Sequence, residues 1–115
     1  MREYTKRFLS SEPDITHPLR LLADVLAASI EFVSSDANDF AQSSWKDRND
    51  ANDELRALLE MARSGVVPKQ SAVAVLFAPT GPLQELSMGS GWAEQFLKLA
   101  HRYDVAERLL WPSGD

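Results

Sequence analysis

A chain of 115 residues with 44% hydrophobic and 25% charged side chains has the length and balance of one globular domain, which excludes disorder as its main state. It contains no cysteine, so disulfides, thiolate zinc sites, iron–sulfur clusters and cysteine nucleophiles are excluded. A net charge of −5 disfavours nonspecific nucleic-acid binding, which needs a basic footprint for the phosphates, and leaves basic proteins as partners.

Residues 1–14 carry Arg2, Lys6 and Arg7 without the apolar run of a secretory signal, and are expected to form a flexible arm. No stretch approaches the apolar length that crosses a bilayer. The expectation is a cytoplasmic protein of bacterial style with no membrane partner. From about Thr16 to Ser34 the pattern predicts a helix. Thr16 is placed to cap it, Pro18 suits its first turn, and Leu19, Leu22, Leu26, Ile30 and Val33 recur at helical spacing. Leu21, Val25 and Phe32 widen that stripe, so this helix is expected to meet more than one neighbour at the centre of the core.

Asp36 to Ser64 contains neither glycine nor proline, which favours one long helix. Ala37, Ala41, Trp45, Leu55, Leu59 and Ala62 form its apolar seam, interrupted at Arg48 and Asn52. The competing reading breaks the helix between Lys46 and Asp50, with Asn49 or Asp50 capping the second piece. Gly65 suits the left-handed conformation past its end. Residues 71–77 read as a short helix carrying Val73, Leu76 and Phe77 or as a buried strand; helix is favoured because no second strand offers itself for pairing.

Ala78 to Pro82 reads as a turn in which Gly81 takes positive φ, followed by a helical turn at Leu83 to Leu86, with Leu83, Leu86 and Met88 docking on the core. Ser90 is placed to cap a last helix, on which Trp92, Phe96, Leu99, Tyr103, Ala106 and Leu110 are spaced by threes and fours. Pro112 and Gly114 stop it. The fold class is therefore all-α: one bundle of four to five helices, residues 1–115, with an ordered Pro/Gly turn segment before the last helix.

Chemistry-bearing motifs are few. His17 and His101 lack neighbours at ligand spacing, so no metal site is expected. The run Asp47 to Glu54 invites a calcium-loop reading that fails at Ala51, Asn52 and Leu58, where oxygen ligands and a glycine are needed. Gly81, Gly89 and Gly91 match no phosphate-binding pattern, and no Lys or Arg lies between Lys69 and Lys98 to neutralise a phosphate. No cofactor and no catalytic residue is assigned. Gln84, Glu85, His101 and Asp104 are the nearest approach to an enzymatic set.

The segment Leu76-Phe77-Ala78-Pro79-Thr80-Gly81-Pro82-Leu83-Gln84-Glu85, with Gly91-Trp92 beyond it, resembles one recurring in small bacterial helical proteins. The resemblance spans about Leu55 to Tyr103 and implies a framework motif without implying an activity. Two surfaces are expected to meet a protein partner. Asp36, Asp39, Asp47, Asp50 and Glu54 line an acidic helix face, and Thr80, Gln84, Glu85 and Trp92 belong to the fixed turn, Thr80 and Gln84 hydrogen-bonding it while Trp92 covers it. The leading expectation is an acidic interaction protein, in its specific form an immunity- or antitoxin-like inhibitor. The alternatives are a self-associating helical protein, a homodimer using Trp45 and Trp111, and an enzyme with an unrecognised site.

Overall fold

The apolar spacing closes into helices with no strand among the described residues, 2–113 of the computed structural model. There are six: α1 (Glu3–Ser10), α2 (Pro18–Val33), α3 (Arg48–Arg63), α4 (Gln70–Phe77), α5 (Pro82–Ser90) and α6 (Ala93–Leu110). The stretch expected to be an arm holds α1, which raises the count above four to five. Gly114, expected to help stop the last helix, lies outside the described residues.

α2 is central because it is apolar on more than one side. Leu21, Leu22, Val25, Leu26, Ala28, Ile30 and Val33 are all buried, and the helix packs against both α3 and α6. Thr16 does not cap it: the N-cap is His17, without a side-chain capping bond, while the Thr16 hydroxyl donates to Asp14. α6 buries Phe96, Leu99, Tyr103 and Ala106, as the spacing predicts. Tyr103 stacks on Phe77 of α4 with ring centroids 4.6 Å apart, and its hydroxyl donates to Glu107 Oε2 at 2.8 Å. Burial, with that bond second, holds the phenol above its ordinary pKa.

The long helix expected over 36–64 does not form. Residues 35–47 are turns and irregular chain, and α3 starts at Arg48. Short polar side chains satisfy the backbone there before a helix can. Ser35 Oγ accepts from Ala37 N–H at 3.2 Å, Asp39 Oδ1 from Ala41 N–H at 2.9 Å, and Ser43 Oγ from Trp45 N–H at 3.1 Å. Such bonds offer the chain a local alternative to helical i→i−4 pairing. The helix starts where the competing reading put its second piece, but no first piece precedes it, and the cap is Asp47, whose side chain accepts from Asp50 N–H at 3.0 Å. Asp50 Oδ2 in turn accepts from Lys46 N–H at 3.0 Å, a reciprocal arrangement of the capping-box kind.

Residues 71–77 are helical, within α4. Pro79 follows its end and Pro82 opens α5 at a position that needs no N–H. Between them the positive φ falls on Thr80, at 64°, and not on Gly81. Gly81 answers a different need: a Cβ there would stand 2.5 Å from the Val75 carbonyl oxygen and 2.9 Å from that of Ala78. Leu83 and Leu86 are buried as expected, whereas Met88 faces outward. Ser90 ends α5 and does not cap α6; Gly91, at φ 86°, makes the left-handed exit, and Trp92 is the N-cap of α6, without a side-chain capping bond.

α1 owes its place to a residue that the pattern did not single out. Arg102 of α6, 7% exposed, donates from Nε to Phe8 O at 3.0 Å and from Nη2 to Leu9 O and Ser11 O at 2.7 Å each. Its Nη1 donates to Lys98 O at 3.1 Å. The carbonyls of Phe8, Leu9 and Ser11 end α1 and have no helical donor of their own, so a buried cation there satisfies both the orphaned acceptors and the negative end of the helix dipole. Burial lowers the guanidinium pKa, with Glu12 opposing.

Candidate functional site

The expected acidic face is a ledge of loop and helix start, fixed from several sides. Segment 36–54 holds six acidic side chains against Lys46 and Arg48, a surplus of four out of the chain's −5. Asp36 sits with 90% of its side chain in solvent and pairs with Arg48 Nη1 at 3.0 Å; Arg48 Nη1 also donates to Ser34 O at 3.2 Å, closing the end of α2. Asp39, Asp47 and Asp50 are exposed and spend one oxygen each on the backbone bonds described above. Asp53 is exposed as well.

Cross-chain bonds then tie this ledge to the bundle. Trp45 is buried at 5% and its Nε1–H donates to Glu54 Oε1 at 2.9 Å. Glu85 of α5 accepts from Ser44 N–H at 3.1 Å, and Ser90 Oγ accepts from Asp39 N–H at 2.9 Å. Asn38 does double duty: its Nδ2 donates to Phe32 O at 2.7 Å, and its Oδ1 accepts from Trp92 Nε1 at 2.8 Å. Trp92 stacks on Phe32 with centroids 5.0 Å apart.

The two surfaces expected separately therefore meet in part: Glu85 and Trp92 hold the loop that carries Asp36 and Asp39. Thr80 and Gln84 do not join them. They form a local clasp in which Gln84 Oε1 accepts the Thr80 N–H and the Thr80 hydroxyl donates to Pro79 O, fixing a β-branched residue in the left-handed region. Trp92 is engaged with Phe32 and Asn38. His101 and Asp104 are exposed on α6, and no hydrogen bond or ion pair among the described residues joins them to Gln84 or Glu85. Of the two tryptophans read for self-association, Trp45 is spent inside and Trp111 is partly buried against the core.

Sequence reasoning missed the tethers. Asn38, Ser44 and Ser90 carry no pattern of their own, since their partners lie 41 to 54 residues away. Only the density of Asp, Asn and Ser in 34–50 could have signalled that the backbone there is held by side chains.

Beside the ledge, α1, α2 and α3 enclose a cleft of about 860 Å³. Tyr4 donates to Asp24 Oδ1 at 2.9 Å on one wall. Glu31 takes the Thr5 hydroxyl and the Arg2 backbone N–H. Burial, ahead of the Tyr4 bond and of Arg20 and Arg63 that oppose it, raises the Asp24 pKa above the ordinary carboxyl value. No helix among the described residues is long and apolar enough to cross a membrane. Comparison with family models, with curated proteins and with solved structures finds no match for this chain.

Proposed function

We propose that this protein works by binding a basic protein partner through the ledge of residues 36–54, as an immunity- or antitoxin-like inhibitor in the bacterial cytoplasm. The observation that carries this reading is the combination of charge and fixation: nearly all of the chain's negative excess sits on one segment that backbone and side-chain hydrogen bonds tie to α2, α3, α5 and Trp92 at the start of α6. A surface held in shape before encounter avoids the ordering cost of binding. A concentrated single-sign surface steers an oppositely charged partner and raises its association rate. Asp53, and Asp36 with one oxygen on Arg48, hold no backbone in place and are the residues expected to present charge outward, while Asp47, Asp50, Glu54 and Glu85 mainly keep the surface in form.

The test is surface plasmon resonance against basic proteins encoded beside this chain, at about 50 and 300 mM salt, for the native protein and for Asp36→Asn/Asp53→Asn. The reading expects a complex whose association rate falls with salt and falls again, several-fold, in the double variant, with dissociation little changed. A complex indifferent to both salt and the substitutions would defeat it, as would no complex at low salt. Self-association would have to rely on exposed groups such as Met61, Val66 and Val67 now that Trp45 is buried, and light scattering separates it from the partner reading.

A further inference from the structure

The cleft between α1, α2 and α3 has a chemistry unlike that of the ledge, although Phe32, Ser35 and Trp92 border both. Its volume, about 860 Å³, lies in the range of small-molecule sites, and its wall is apolar at Ala27, Ala28, Phe32 and Leu59. Both of its carboxylates already accept hydrogen bonds, Asp24 from Tyr4 and Glu31 from Thr5. Its guanidinium groups are in the opposite condition. Arg56 and Arg63 line it from α3, seven residues apart and so on one face of that helix. Neither makes a hydrogen bond or an ion pair among the described residues; Arg63 acts on Asp24 only through space. With Arg2 the cleft holds three cations against two anions, an inversion of sign in a chain of net charge −5.

We propose that this cleft binds a small amphipathic carboxylate, with its headgroup on Arg56 and Arg63 and its apolar body along the wall beneath α1. A planar guanidinium presents paired donors that match a carboxylate, and it loses less hydration than an ammonium when covered. The apolar wall supplies the remaining affinity by removing the ligand's hydrocarbon from water.

The experiment is a titration followed by amide NMR shifts and calorimetry, with decanoate as probe below its micelle concentration, and with decanol and decyltrimethylammonium as neutral and cationic matches. Decanoate is expected to saturate, to shift amides around Phe32, Arg56 and Leu59, and to bind at least ten-fold more tightly than either match. Arg56→Gln/Arg63→Gln is expected to weaken decanoate at least ten-fold, while Arg108→Gln on α6 leaves it unchanged. Equal binding of the three probes, shifts that map elsewhere, an unaffected double variant, or no saturation would each overturn the proposal. The shift map of the native protein decides the location even if a variant folds poorly.

Discussion

The Val75 carbonyl oxygen stands 2.5 Å from where a Cβ on Gly81 would be, although Gly81 itself has an unremarkable φ of −76°. Space, not backbone freedom, requires glycine there, and the neighbour is backbone that cannot swing aside. Gly81→Ala is therefore expected to cost about 1–3 kcal/mol through overpacking. Thr80→Gly, at the adjacent positive φ, is expected to be neutral or to stabilise by up to about 1 kcal/mol, because relief of left-handed strain is offset by unfolded-state entropy. Urea unfolding of both variants measures the difference directly: Gly81→Ala is expected to lower the midpoint and Thr80→Gly is not.

Replacing Arg102 by Met should release α1 without dismantling the bundle, because α2 to α6 share a core that Arg102 only borders. The loss of charged donors to the end of α1 is expected to cost about 2–4 kcal/mol. Hydrogen exchange would show it as faster exchange of the α1 amides with the α2 and α6 amides comparatively protected. Uniform acceleration through all helices would mean that Arg102 supports the whole core.

Asp24 gives stability a definite pH slope. Its folded pKa is raised by burial, against the pull of Tyr4, Arg20 and Arg63, so the native state holds this proton more tightly than the unfolded chain. The contribution is fully present below the unfolded value of about 3.9 and is lost as pH rises through the higher folded value. Asp24→Asn keeps an acceptor for the Tyr4 hydroxyl and removes the titration. At pH 7 the variant is expected to match or exceed the native protein, by no more than about 1 kcal/mol given the group's partial exposure. Urea midpoints from pH 3.5 to 7 should show that advantage shrinking towards acid. The lowered pKa of Asp14, caused chiefly by the Thr16 hydrogen bonds, slopes the other way below the ordinary carboxyl value and is common to both proteins.

The parts of the fold that could be read from residue order are those governed by repetition. α2 and α6 bury the residues that their three- and four-residue spacing picks out, because a long amphipathic stripe has one way to leave water. The stretch before α3 defeated the same reasoning. Lacking glycine and proline, it looked helical, yet Ser35, Asp39 and Ser43 each hold a backbone N–H two residues on. Ala37 and Ala41, assigned to the seam, are exposed, while Trp45 from the same seam is buried through a different geometry. The nine residues expected at the binding surfaces all proved to be hydrogen-bonded or ion-paired within the chain, and the bracing by Glu85 and Trp92 and at the Asp39 backbone runs between positions 41 to 54 residues apart, which no local pattern shows. Arg102 carried one faint signal: it falls three residues after Leu99 and four before Ala106, on the flank of the apolar stripe, where a cation needs a reason.

The grip of Arg102 on the carbonyls of Phe8 and Leu9 spans 94 and 93 residues of chain. During synthesis α1 leaves the ribosome long before its anchor exists, and eight residues are too few to persist as a helix in water unaided. Tyr4 and Thr5 of α1 can meet Asp24 and Glu31 of α2 early, but the C-terminal end of α1 is held only once α6 has formed.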